Sequence, residues 1–218
     1  RKDEIGHLMN SFNVMAQGML QKSQVEEAFS RHVPPNVASE IINNLEPVEM
    51  GSKHINASVM FVDIVGFTAK SEVLTPQGVA KLLNEFYSII TQTIHLYKGT
   101  IDKYMGDCAM LIFGIPEEDP GHAFHSIAYA VFLQRITERK NAQRISRGEA
   151  PICLRIGVNT GEMLAGNMGS RERLQFTVVG DALNVESRLA TQARADQIVI
   201  SEETYPLPGI AEKVIDEK

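Results

Sequence analysis

Asp63 and Asp107 are the residues whose setting most needs a chemical explanation. Asp63 ends the apolar run Val59-Met60-Phe61-Val62, which reads as a strand covered on both faces. An ionised carboxylate there is costly unless a positive partner binds it. Asp107 shares with Gly106 the two-residue tip of a predicted hairpin, with strands from Thr100 to Met105 and from Cys108 to Phe113. Taken singly, each Asp reads as a turn or cap residue. Two carboxylates at neighbouring strand ends make the chemistry of a divalent-cation site available. Lys103, two residues before Met105, shares its face by strand alternation, a lone cation turned toward the same side of the sheet. Further on, Asn184 and Arg188 are four apart in a segment that turns from strand to helix, so they share one helix face.

Taken with their neighbours, these residues form a recognisable set. Phe61-Val62-Asp63-Ile64-Val65-Gly66-Phe67-Thr68, Lys103-Tyr104-Met105-Gly106-Asp107 and the stretch from Phe176 to Leu189 occur in that order. The sequence resembles the catalytic domain of class III nucleotidyl cyclases over roughly residues 30–205. The resemblance implies an α+β, ferredoxin-like fold and an adenylate cyclase that converts ATP to 3′,5′-cyclic AMP and pyrophosphate. It assigns two Mg²⁺ or Mn²⁺ ions to Asp63, Asp107 and the Ile64 carbonyl. Adenine recognition falls to Lys103 and Thr177, ribose orientation to Asn184, and stabilisation of phosphate charge to Arg188. In such enzymes the metal residues come from one subunit and the base, Asn and Arg residues from its partner, which implies a homodimer with two equivalent sites.

Substrate choice turns on two positions. Many members carry Asp where this sequence has Thr177, to accept from the adenine amino group, and a hydroxyl can accept there as well. Lys103 with Thr177 resembles the bacterial and soluble subgroup (class IIIb-like) with Thr, several members of which respond to bicarbonate; a bicarbonate response is therefore an expectation here. Guanylyl cyclases are expected to carry Glu at the Lys103 position, which favours ATP over GTP. A guanylate cyclase and a noncatalytic cyclase-like dimerisation or sensing module are the alternatives. The chain finishes at Val214-Ile215-Asp216-Glu217-Lys218 without the late Lys that binds triphosphate in relatives, so the last strand of the domain is expected to be truncated.

The elements that must position these residues follow from patterning. Thr75-Pro76 opens a helix with a stripe of Val79, Leu82, Leu83, Phe86, Ile89, Ile90 and Thr93, stopped by Gly99. A second helix over about residues 120–146 precedes a strand from Ile152 to Val158, completing the order βαββαβ. Gly157, Gly161, Gly166 and Gly169 punctuate the next stretch. Read from the residues alone they suggest a tight hairpin at Thr160-Gly161-Glu162; the resemblance instead implies glycines lining a dimer interface. His122 and His125 lack partners at zinc spacing and read as surface or capping residues.

Upstream, Ile5, Leu8, Phe12, Met15 and Met19 alternate spacings of three and four, as coiled-coil core positions do. Continuing that seam places Lys22 and Glu26 in the core, which predicts a stutter. Asp3-Glu4-Ile5-Gly6 and Phe12-Asn13-Val14-Met15 resemble the end of a HAMP domain, and Arg31-His32-Val33-Pro34-Pro35 resembles the connector before bacterial cyclase domains. The expected organisation is residues 1–30 as HAMP end and signalling helix, 31–46 as connector, and 47–218 as the catalytic domain. By resemblance this is the cytoplasmic output domain of an inner-membrane receptor. With 218 residues and a net charge of −6, the chain carries no basic excess for nucleic acid. It has no apolar run near the roughly 20 residues of a membrane span, so membrane attachment would lie in an upstream part. Cys108 and Cys153 lie in strand patterns and read as buried thiols of a reducing compartment.

Overall fold

The computed structural model describes residues 4–30, 52–170, 173–183, 193–207 and 210. The connector at Arg31-His32-Val33-Pro34-Pro35, Asn184, Arg188 and the C-terminal stretch from Val214 lie outside the described residues. The chain divides into two compact units, Arg1–Glu49 and Met50–Lys218.

The first unit contributes α1, Glu4–Ser30. At 1.5 Å per residue its 27 residues make a rod of about 40 Å. Leu8, Phe12, Met15 and Met19, the predicted seam, lie exposed along it. The helix runs past Lys22 without a break. A stutter changes which side faces a partner while leaving the backbone helical, so the two observations agree.

The second unit is built on a sheet of β1 (Ser52–Ile64), β2 (Gly99–Met105), β3 (Cys108–Phe113), β4 (Leu154–Ser170), β5 (Arg173–Val179) and β6 (Ile198–Ile200). The order is β2-β3-β1-β4-β5, with β6 parallel to β4 and every other pair antiparallel. Between β1 and β2 come α2 (Phe67–Val73), α3 (Pro76–Thr93) and a 3₁₀ turn; α4 (His122–Ser146) links β3 to β4. This is the predicted βαββαβ order with strands added at its end. The start of α3 follows the sequence signal closely: Pro76 stands at its first position, and Thr75 Oγ1 accepts from the Gly78 N–H at 3.2 Å.

Alternation along β1 divides the core into two layers. Met60, Val62 and Ile64 pack with Leu82, Phe86 and Ile90 of α3 and Tyr129, Ala130 and Leu133 of α4. Ile55, Ala57, Val59 and Phe61 face the other way, against Met110 and Ile112 of β3 and Met163, Ala165 and Val178 of the β4–β5 arm. Burial on both faces is why β1 reads as an unbroken apolar run.

β4 rules out the hairpin suggested by the residues alone. Glu162, Gly161 and Thr160 form no hairpin but pair opposite Asn56, Ala57 and Ser58, and β4 continues to Ser170, which pairs with Arg173 of β5. Gly161 marks a close approach within a continuous strand: a Cβ there would stand 3.5 Å from the Ala182 Cβ.

Candidate active site

At one end of the second core layer, strand register brings the predicted metal carboxylates together. Asp63 pairs with Cys108 across β1 and β3, and the Ile64 N–H donates to the Asp107 carbonyl at 3.1 Å. Gly106 supplies the turn with φ of 64°, a left-handed conformation that side chains disfavour. Just beyond β1, Gly66 does the same at φ of 68° before α2. From α3, Tyr87 donates its hydroxyl hydrogen bond to the Gly106 carbonyl, while its ring stacks on Tyr104 at a centroid distance of 4.1 Å. Tyr104 in turn bonds Thr91 at 2.8 Å. The hairpin tip is thereby tied to the helix layer.

Burial pushes the Asp63 carboxyl above the usual carboxylate range; Arg155 pulls it back, and the neighbouring Asp107 raises it again. The Arg155 Nε donates to Asp63 Oδ2 at 2.5 Å. Sequence reasoning passed over Arg155, though it stands in register directly opposite Asp63 in the β1–β4 pair. The signal was a charged residue between the apolar Leu154 and Ile156; its meaning depends on knowing which residue lies across the ladder.

Two acids held close, with burial and the neighbouring Asp107 both opposing the charge on Asp63, suit a cation. Among the described residues no group of three or more His, Cys, Asp and Glu side chains gathers as a full metal cage. That donor set fits Mg²⁺ or Mn²⁺, ions of the kind held by one or two carboxylates and completed by water and substrate phosphates.

Along the same face, Lys103 pairs with Met110, which packs into the second core layer. The expected alternation from Met105 holds as far as Lys103; beyond it, a bulge between Ile101 and Lys103 leaves Asp102 as the extra residue. Lys103 Nζ donates to Thr177 Oγ1 at 3.1 Å and lies 3.0 Å from Asp102 Oδ2. Thr177, buried on β5, donates to the same Asp102 oxygen at 3.1 Å. Lys103 and Thr177, paired in base recognition by the sequence resemblance, are therefore in direct contact. Asp102 is the member of the cluster that sequence reasoning missed.

Residues 181–183 enter a helical turn, and Asn159 Nδ2 donates to the Ala182 carbonyl at 2.7 Å, fixing the start of the segment that carries Asn184 and Arg188. His125 fits the surface or capping reading at the start of α4, whereas His122 departs from it. His125 Nδ1 bonds Asp119 Oδ2 at 2.6 Å, whereas half-buried His122 reaches inward to Ser58 Oγ at 2.9 Å, and Ser58 bonds Thr160 at 2.6 Å.

Residues 50–212 match the family model for the adenylate and guanylate cyclase catalytic domain. The chain belongs to this family. An uncharacterised protein of Mycobacterium tuberculosis is 34% identical over 193 residues, covering 88% of the cyclase chain and 34% of that protein. The chain thus spans about a third of the length of the curated relatives it matches. Among solved structures, the guanylyl cyclase Cya2 is 35% identical with a TM-score of 0.68, over 72% of this chain and 79% of that one. The adenylyl cyclase CyaB from P. aeruginosa is 33% identical with a TM-score of 0.68, over 72% and 81%. Likeness is nearly equal to an enzyme named for each purine, so the base must be argued from this chain's own residues.

Proposed function

We propose that the chain is an adenylyl cyclase domain that forms 3′,5′-cyclic AMP and pyrophosphate from ATP at the interface of a homodimer. The observation that carries the reading is the Lys103–Thr177 hydrogen bond, which joins two residues 74 apart into one polar pair on the functional face. An ammonium can donate to an adenine ring nitrogen, and a hydroxyl can accept from its amino group.

Asp63, Asp107 and the Ile64 carbonyl are the proposed ligands of two Mg²⁺ or Mn²⁺ ions. Bound there, the ions would supply Lewis acidity, easing loss of the 3′-hydroxyl proton and neutralising the triphosphate. The ribose 3′-oxygen bonds to the α-phosphorus as the bond from that phosphorus to the leaving pyrophosphate oxygen breaks, and the 3′-proton passes to solvent. Asn184 is assigned to the ribose and Arg188 to the charge gathering on the phosphate. Arg155, paired with Asp63 in this structure, gives up that partner when a cation takes the carboxylate and is then available to phosphate. Positioning and electrostatics carry the rate, as in other phosphoryl transfers.

The same proposal makes α1 the end of a HAMP domain feeding a connector, in the cytoplasmic output part of an inner-membrane receptor. Its support is a continuous 27-residue helix with exposed apolar side chains at the predicted seam positions. No helix among the described residues is long and apolar enough to cross a membrane. The Lys103 and Thr177 pair also supports membership of the Thr-containing, bicarbonate-responsive subgroup.

A guanylyl cyclase is the second reading, favoured by the 35% identity to Cya2. Chromatographic identification of the product from ATP or GTP with Mn²⁺, alongside Asp107→Ala, separates the two. Cyclic AMP from ATP, abolished by the substitution, is the expected result. Cyclic GMP as the main product supports the second reading; no cyclic product from a verified dimer supports a noncatalytic module.

A further inference from the structure

In a regular strand Asp102 and Lys103 would point to opposite faces. The bulge between Ile101 and Lys103 breaks that alternation, and both side chains meet Thr177. Asp102 Oδ2 lies 3.0 Å from Lys103 Nζ and 3.1 Å from Thr177 Oγ1, and Lys103 Nζ lies 3.1 Å from that same hydroxyl oxygen. The three groups close a triangle. The Asp102 side chain is 1% exposed, against 33% for Lys103, so the carboxylate lies beneath and the ammonium reaches toward solvent.

Proton accounting around this triangle is restrictive. An ammonium only donates, an ionised carboxylate only accepts, and a hydroxyl has one proton and two lone pairs. Thr177 gives its proton to Asp102 and takes one N–H from Lys103. One lone pair remains, so toward any further group Thr177 can only accept. A threonine not held in this way rotates to donate or to accept and serves either kind of partner.

We propose that Asp102 is a positioning residue for purine choice: by taking the Thr177 proton it leaves a hydroxyl that accepts from an amino group and cannot donate to a carbonyl. The proposal rests on reading the chain as a nucleotide cyclase whose base pocket contains Lys103 and Thr177. The pairing edge of adenine presents an amino donor beside a ring-nitrogen acceptor, which match the free lone pair of Thr177 and the remaining N–H of Lys103. Guanine presents a carbonyl acceptor beside a ring N–H donor, and in the same pose opposes acceptor to acceptor and donor to donor. Discrimination then comes from leaving buried polar groups unpaired, the mechanism by which hydrogen-bonding sites reject a near-isostere. Burial raises the Asp102 carboxyl above its ordinary range, while the Lys103 ammonium and the Thr177 hydroxyl both favour its charged form.

The test measures kcat/KM for ATP and for GTP, with Mn²⁺, in the wild type, Asp102→Leu, Asp102→Asn, Thr177→Val, and Thr177→Val combined with Asp102→Leu. Asp102→Leu keeps the shape and removes the acceptor, and the ATP-to-GTP ratio is expected to fall about tenfold, the scale of one redirected hydrogen bond. Asp102→Asn still offers an amide oxygen to Thr177 and should keep most of the preference. Without the hydroxyl there is no proton to direct, so Asp102→Leu should leave the ratio unmoved in the Thr177→Val background. Asp102→Val replaces Asp102→Leu if the latter does not fold. A merely structural role would lower both substrates alike and persist in the Thr177→Val background. Either result, or an unchanged ratio in a folded Asp102→Leu enzyme that prefers ATP, overturns the proposal alone. Wild type that prefers GTP, or that makes no cyclic product, overturns the underlying reading and the proposal with it.

Discussion

Replacing Arg155 with methionine keeps much of the side-chain length and removes the guanidinium that Asp63 holds at 2.5 Å. A hydrogen bond between charged groups contributes about 1.5–3 kcal/mol, and because the Arg155 side chain is 32% exposed, screening trims this to about 1–2 kcal/mol. In chelator, Arg155→Met is therefore expected to be less stable by that amount, since Asp63 is left mostly buried beside Asp107 without its guanidinium partner. Saturating Mn²⁺ should cancel most of that loss. In the wild type a cation at Asp63 must break or share the Arg155 pair, so its apparent affinity carries that cost; the variant does not pay it. An increase of about tenfold in Mn²⁺ affinity corresponds to 1.4 kcal/mol. Titration followed by the electron paramagnetic resonance of free Mn²⁺ reads the affinity directly, and denaturation with and without Mn²⁺ reads the linked stability. Equal or weaker Mn²⁺ binding by a folded Arg155→Met protein would refute competition between Arg155 and a cation for Asp63.

Burial holds the His122 imidazole below its ordinary value of 6.5, with Asp119 opposing that shift and His125 adding to it. Below about pH 6.5 the unfolded chain takes up a proton that the fold resists, so stability should fall from pH 7.5 to 5.5 by up to about 1.4 kcal/mol per pH unit. His122→Asn keeps a group able to bond Ser58 and should flatten that slope in melting experiments; an unchanged slope would contradict the assignment. At Gly106, φ is 64° and an added Cβ would meet no atom within 4 Å, so Gly106→Ala should cost only the backbone term, about 1–2 kcal/mol in chemical denaturation. A loss well beyond that would mean that the turn is constrained by contacts rather than by conformation.

The elements that carry the site were legible where local rules suffice. The Gly106-Asp107 turn follows from two apolar runs separated by a two-residue signal, and α3 from a Thr-Pro start and a 3.6-residue stripe of which Leu82, Phe86, Ile89 and Ile90 are buried. Asp63 stood out because a carboxylate in an apolar run is costly wherever the strand lies. The length of β4 was not legible, since Gly161 reads alike in a hairpin and in a strand that passes close to Ala182. His122 looked superficial because nothing within its own helix announces Ser58, 64 positions earlier.

By itself, then, the sequence determined the residue types on offer, the order of strands and helices, and the two acids at neighbouring strand ends, because these depend on periodicity and turn chemistry over a few residues. Only the tertiary structure decided how those residues combine. Register sets Arg155 against Asp63, and the bulge turns Asp102 toward the side of Lys103. β2 and β5, at opposite ends of the strand order, come into contact through Lys103, Asp102 and Thr177. The bulge arises within the β2–β3 hairpin, whereas the Arg155–Asp63 and Lys103–Thr177 contacts depend on the alignment of segments 74 to 92 residues apart, and a one-residue slip in that alignment would turn the same side chains to the opposite face.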